Sequence, residues 1–183
     1  NTVLSAKIAS LAKHYIDQTS LKMYFYKILD NKDSTPEDVA ASYWGLASLN
    51  EPVLVEIKNL IESSNPKTIE MLYLGNALAE IGDFDGALEI YSNITNKYGK
   101  SQGIYYYVDE GRSRDETLEI TSLCSIIALK VNAPEKQGLF NYVKDNSTSE
   151  LLTNLECLIY VTNHIPDVSQ ECAFSYELDG AEN

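Results

Sequence analysis

The residues able to do chemistry are few and far apart. The only histidines, His14 and His164, lie towards the two ends, and neither has an Asp, Glu, Cys or His at metal-ligand spacing beside it. His14 reads as a surface residue on a polar face, and His164 as a last-turn residue that suits the negative end of a helix. The cysteines Cys124, Cys157 and Cys172 are odd in number and widely spaced, which argues against a disulfide framework and against Cys-x-x-Cys metal patterns. Cys124 and Cys157 sit in strongly apolar stretches, where a thiol behaves as a small buried hydrophobe rather than a nucleophile. Asp83-Phe-Asp-Gly86 lacks the remaining ligands of a calcium loop and reads as a helix start. These residues suggest no catalytic group, no metal site and no cofactor.

One stretch concentrates polar and aromatic groups. Tyr105, Tyr106 and Tyr107 are followed by Asp109, Glu110, Arg112, Arg114 and Asp115. Stacked aromatic rings with hydroxyl handles bind sugars or peptides, and paired carboxylates can act on glycosidic bonds, so Tyr105, Tyr106, Tyr107, Asp109, Glu110 and Arg112 are the candidate ligand contacts. The favoured reading is structural: an extended segment packed across helix ends, arginines paired with acids in a solvated loop, and Asp115 capping the next helix.

The elements that must carry these groups are helical. Residues 2–17 repeat Leu4, Ile8, Leu11 and Tyr15 at three- and four-residue steps, and Ser20 can cap a second helix reaching Leu29. Thr35 followed by Pro36, Glu37 and Asp38 is a strong start signal for a third helix over 36–49, burying Val39, Tyr43 and Ala47. Asn50 and Pro52 open a fourth presenting Val53, Ile57, Leu60 and Ile61; a fifth runs from Pro66 to Gly82; Asp83 caps a sixth ending near Gly99. Residues 100–113 read as an ordered loop with a short extended stretch. A seventh helix spans 116–131, Pro134 opens an eighth, and Ser147 with Glu150 forms a capping box for a ninth that Pro166 ends. Alternation of Cys172, Phe174, Tyr176 and Leu178 predicts a half-buried strand in the tail.

Helical hairpins at intervals of roughly 30 to 45 residues cannot cover both faces of their inner helices alone and must stack. The expected fold is all-α: antiparallel hairpins in an α/α toroid or an open superhelix over 1–168, with 169–183 as a strand or linker leading to a following β-domain. The 183 residues carry 14 Lys plus Arg against 27 Asp plus Glu, a net charge of −13, with 44% hydrophobic residues. Surplus acid repels phosphate backbones, and no apolar run approaches the ~18 residues of a membrane span, so nucleic-acid binding and membrane insertion are not expected. The absence of an initiator Met, and of a charged or apolar leader, suggests a segment of a longer chain whose targeting signal lies elsewhere. The sequons at Asn93 and Asn146 carry little weight.

The order of parts resembles the helical thioester-type domain of bacterial alpha-2-macroglobulin and complement-like proteins. The matching strings are Ala41-Ser-Tyr-Trp-Gly-Leu-Ala-Ser-Leu49, then Leu72-Tyr-Leu-Gly-Asn-Ala-Leu-Ala-Glu-Ile-Gly-Asp83 with Ala87-Leu88, then Ser113-Arg-Asp-Glu-Thr-Leu118 after an aromatic, glycine-bearing loop. The stretch 148–161 takes the place of a late inner helix, and Phe174 to Leu178 resembles the start of the β-domain that follows. The resemblance implies an α/α toroid within a larger secreted or cell-surface protein, acting as a non-enzymatic scaffold whose partners are other proteins or neighbouring domains. The family's thioester needs Cys-x-Glu-Gln, and none of Gln18, Gln102, Gln137 and Gln170 follows a Glu, so that chemistry is not expected from these residues. A narrower resemblance, Leu74-Gly75 with Ala87 and Tyr91, is to a tetratricopeptide repeat and implies a peptide-binding adaptor. A toroidal carbohydrate-active enzyme is the third reading; it needs two carboxylates converging beside the tyrosines.

Overall fold

Helix starts and stops follow local chemistry. In a computed structural model describing residues 1–146 and 151–164, with the backbone of 177–178 and 181–182, the Thr35 hydroxyl accepts from the Asp38 N–H at 3.1 Å. Pro36 occupies the first turn of the helix that follows, Pro36–Ser48 (α3). The earlier helices are Thr2–Ala12 (α1) and Gln18–Asp30 (α2). Leu54–Ser63 (α4) and Thr68–Ile81 (α5) come next, and α5 stops at Gly82, whose φ of +92° costs a glycine little. Asp83 then accepts from the Gly86 N–H at 3.2 Å and starts Phe84–Tyr98 (α6). Arg114–Lys130 (α7), Lys136–Asn146 (α8) and Leu151–His164 (α9) complete the described helices.

Several expectations change in detail. The first helix stops at Ala12 and gives way to a 3-10 turn, Lys13–Tyr15, which leaves Tyr15 91% exposed. Asp17, not Ser20, caps α2, because its carboxylate accepts from both Thr19 and Ser20. Ser113, not Asp115, caps α7: it accepts from the Glu116 N–H while Glu116 accepts from the Ser113 N–H, a reciprocal arrangement that a lone aspartate cannot make. α3 is buried on nearly every side, through Ala40, Ala41, Trp44, Leu46 and Ala47, while Val39 and Tyr43 are only half-buried. The extended stretch is a two-stranded antiparallel hairpin, Gly99–Gln102 (β1) with Tyr105–Val108 (β2), turned at Gly103 with φ +61°. In the tail, Glu177–Leu178 (β3) pairs antiparallel with Ala181–Glu182 (β4). The Ser147–Glu150 capping box, Pro166, Cys172, Phe174 and Tyr176 lie outside the described residues.

The odd-numbered helices touch in succession, α1 with α3, α3 with α5, α5 with α7 and α7 with α9, and α9 also packs against α1. The even-numbered helices lie against them: α2 on α1 and α3, α4 on α5, α6 on α5 and α7, α8 on α7 and α9. Composition follows position. α3, α5 and α7 bury most of their length, whereas α2 and α4 each bury a single side chain, Phe25 and Ile57. Phe25 shows how the two sets lock together, for its ring fills the space above Gly45 of α3, where an added Cβ would lie 2.2 Å from the ring. Burying one such side chain contributes about 2 kcal/mol.

Helices α1, α3, α5 and α7 share a direction. The N-terminal turns of α3, α5 and α7 meet at one end, through Glu37, Glu70 and Glu116. At the other, the last turns of α1, α5 and α7 meet: Ser10 donates to Glu80 at 2.9 Å and Lys130 pairs with Glu80 at 2.8 Å.

Candidate functional site

One side chain from each odd-numbered helix enters a central polar cluster. Lys7 of α1 and Glu156 of α9 are both fully buried and form an ion pair at 2.6 Å. Glu119 of α7, 29% exposed, stands 3.6 Å from the Lys7 ammonium and accepts from the Tyr73 hydroxyl of α5 at 3.3 Å. The Tyr73 ring lies against Trp44 of α3, with centroids 5.9 Å apart and planes within 17°. Burial pushes the Glu156 carboxyl above its ordinary range while Lys7 pulls against the shift. Burial likewise raises the Tyr73 phenol, helped by the Glu119 and Glu156 charges, so it serves as a hydroxyl donor.

Glu119 also lines a cleft of about 220 Å³ at the N-terminal ends of α3, α5 and α7. Glu37, Glu70, Glu110 and Glu116 supply its other carboxylates, with Lys67 and Arg112 as its cations. Three helix N-termini favour carboxylates here, and most of these carboxylates already hold a structural partner. Glu70 accepts from the Lys67 N–H at 2.8 Å. Glu116 caps α7, and the Ser113 hydroxyl and backbone hold its carboxyl below the usual range, with Arg112 assisting. Glu110 accepts from the Thr68 hydroxyl and pairs with Arg112 at 3.2 Å. Glu37 is the exception: burial, then the charges of Glu119, Asp38 and Glu70, push it up. The cleft therefore holds two carboxyls pushed in opposite directions, Glu37 up and Glu116 down.

Two of the six sequence candidates, Glu110 and Arg112, line this cleft, and the other four are elsewhere. The tyrosines sit on β2, where alternation splits them. Tyr106 points inward, its hydroxyl filling the space at Gly99 and its Cβ lying 3.0 Å from where a Cβ on Gly138 of α8 would stand. Tyr107 stacks on Tyr142 of α8 at 4.6 Å and 12°, and Tyr105 meets the same ring edge-on at 6.1 Å while its hydroxyl donates to Asp145 at 3.1 Å. Asp109 pairs with Lys100 across the hairpin at 2.7 Å, which holds its carboxyl down. The tyrosines thus fasten the hairpin to α8 and stand apart from the cleft.

Cys124 is fully buried and Cys157 half-buried; burial raises both thiols, Cys157 to about 11. His14 is exposed, and His164 is an exposed last-turn residue whose ring stacks on Tyr160 at 5.8 Å. Among the described residues no group of three His, Cys, Asp or Glu is placed to hold a metal ion. No helix there is long and apolar enough to cross a membrane.

The central cluster has a faint signal in the sequence. Lys7 is the one charged residue of α1, and Glu156 the one Asp, Glu, Lys or Arg of α9. A single charge in an otherwise apolar helix that is buried on most sides needs a partner of opposite sign. Comparison with protein-family models, curated proteins and solved structures finds no match.

Proposed function

We propose that the chain is a closed α/α toroid that works as a non-enzymatic scaffold, a helical segment of a larger secreted or cell-surface protein of the alpha-2-macroglobulin type. The observation that carries this reading is the return of α9 to α1, sealed by the buried Lys7–Glu156 pair. Its five odd-numbered helices are the inner staves and its even-numbered helices the outer ones. Filled by Trp44, Tyr73 and the ion pair, such a toroid offers its ends and outer surface to partners rather than a central groove. Its partners are protein surfaces or neighbouring domains of the same chain. The separation of the carboxylate cleft from the tyrosines supports this reading over a carbohydrate-active site.

A second reading, the tetratricopeptide-like adaptor, is favoured by Gly75, where an added Cβ would stand 2.9 Å from Ile127 and 3.2 Å from Ile90. Such close packing, within the α5–α6 hairpin and onto α7, is what that repeat uses glycine for. An adaptor, however, presents an open concave face, which the α1–α9 contact would close.

The test compares the melting temperature of this chain alone with that of the same residues inside the parent protein. A scaffold that packs on its neighbours melts several degrees higher in the parent, because contacts made only by the folded state stabilise it. Equal melting temperatures would contradict the scaffold role.

A further inference from the structure

We infer that the cleft at the N-terminal ends of α3, α5 and α7, together with an apolar groove beside it, is a docking site for a protein segment that carries an apolar side chain close to a lysine or arginine. The groove, of about 470 Å³, lies between α3, α4 and α5 and is lined by Pro36, Val39, Ala40, Leu60 and Leu74. Lys67 and Glu70 line both cavities, so one is continuous with the other. Glu70 is only 7% exposed. One of its oxygens accepts from the Lys67 N–H at 2.8 Å, and the other has no hydrogen-bond partner among the described residues. A carboxylate so buried has little water around it and faces whatever enters the two cavities.

Charge selects the occupant. Glu37, Glu70, Glu110, Glu116 and Glu119 line the cleft against two cations, Lys67 and Arg112. Arg112 is taken by Glu110 and Glu116, and no described Lys or Arg stands within ion-pair distance of Glu37 or Glu70. The three helix N-termini each bring roughly half a positive charge, which leaves the cleft short of one or two. The repulsion that pushes Glu37 up, from Glu119, Asp38 and Glu70, has the same origin. A segment with one or two basic side chains makes good that deficit, while its apolar neighbour fills the groove. A bare metal ion would leave the groove empty, and no group of three His, Cys, Asp or Glu among the described residues is placed to hold one. A second copy of a chain of net charge −13 brings the wrong sign. That the cation belongs to a protein rests on the scaffold reading, in which the ends of the toroid receive protein partners.

Amide NMR of the isotope-labelled chain tests this, with acetylated, amidated peptides in which Leu and Arg stand side by side or one or two glycines apart. The best of them should bind with a dissociation constant of about 0.1–3 mM and shift the amides of Val39, Ala40, Ile69 and Glu70. Exchanging its Arg for Glu, or its Leu for Ser, should weaken binding about tenfold, and raising NaCl from about 50 to 500 mM should weaken it several-fold. Glu37→Gln, which breaks no ion pair among the described residues, should cost about threefold. Asp85→Asn, an exposed acid on α6, should cost nothing. No peptide binding tighter than about 10 mM would overturn the inference. So would shifts confined to another face, or equal binding by the Glu-bearing peptide. Hexylamine binding as tightly as the best peptide would give the site to a small amine and overturn the protein partner. Every arm uses the chain alone, so its failure is distinct from equal melting temperatures in and out of the parent protein, which would instead remove the scaffold role.

Discussion

Replacing Lys7 by Met removes the only cation within ion-pair distance of Glu156 and keeps a side chain of similar length. Glu156 is wholly buried and, beyond Lys7, only the Ser122 hydroxyl helps to hold its charge, so without the ammonium that charge would be left poorly solvated. Breaking a buried pair from one side costs about 3–5 kcal/mol, a large part of the ~5–15 kcal/mol that holds a domain folded. Glu156→Leu should cost less, because Lys7 keeps Glu119 at 3.6 Å. Lys7→Met with Glu156→Leu removes both charges together and should return to within about 1 kcal/mol of the parent, giving a coupling of several kcal/mol.

The pH dependence of the single variant follows from sign. Burial raises the folded-state pKa of Glu156, so the folded chain binds that proton more tightly than the unfolded chain does. Stability from this group is full below the ordinary carboxylate value of about 4.3 and falls as pH climbs above it. Without Lys7 the shift grows, so Lys7→Met should regain stability as pH drops from about 7 to 5. Urea melts followed by circular dichroism measure all of this. Single-variant losses below about 1 kcal/mol that simply add would refute a central buried pair.

Three other outcomes are expected. Gly45→Ala places a Cβ 2.2 Å from the Phe25 ring, and overpacking of about 1–3 kcal/mol should outweigh the gain in helix propensity, measured by urea melts. Asp83→Ala removes the cap of α6 and should cost about 1 kcal/mol at neutral pH. Lys58 and the Gly86 N–H hold Asp83 down, so its contribution is present above the unfolded value of about 3.9 and lost as pH falls. The variant should therefore lose less stability than the parent in acid titrations. Tyr142→Ala takes away the ring beneath Tyr105 and Tyr107 and should raise hydrogen exchange at the β1–β2 amides while leaving α5 and α7 protected.

Much of this fold is legible in local chemistry. Thr35-Pro36, Gly82-Asp83 and the apolar repeats of α4 and α6 announce helices and their ends, since each uses a short-range hydrogen bond or a backbone restriction. Ser113 and Asp115 are both capping types, and only the reciprocal bond with Glu116 separates them. The hairpin of β1 and β2 is half visible: the tyrosines mark one strand, but Lys100-Ser-Gln102 has no apolar pattern, and its pairing rests on backbone register and the Lys100–Asp109 ion pair. The cleft was least legible, because Glu37, Lys67, Glu70 and Glu119 come from helices distant in sequence and meet only when those helices align. Tyr105, Tyr106 and Tyr107 drew attention as a run, yet strand alternation sends Tyr106 to one face and its neighbours to the other.

The return of α9 to α1 is most directly tested by a distance between them in solution. Nitroxide labels at Ser5 and Asn154, each two residues before a member of the ion pair, report it by double electron–electron resonance. The measurement uses a background with Cys124, Cys157 and Cys172 replaced by Ala, diluted with unlabelled protein. Packed helices with axes about 8–10 Å apart predict one narrow population below about 25 Å. An open row of five helices at the same spacing would separate them by about 32–40 Å, and a population there would contradict the closed arrangement.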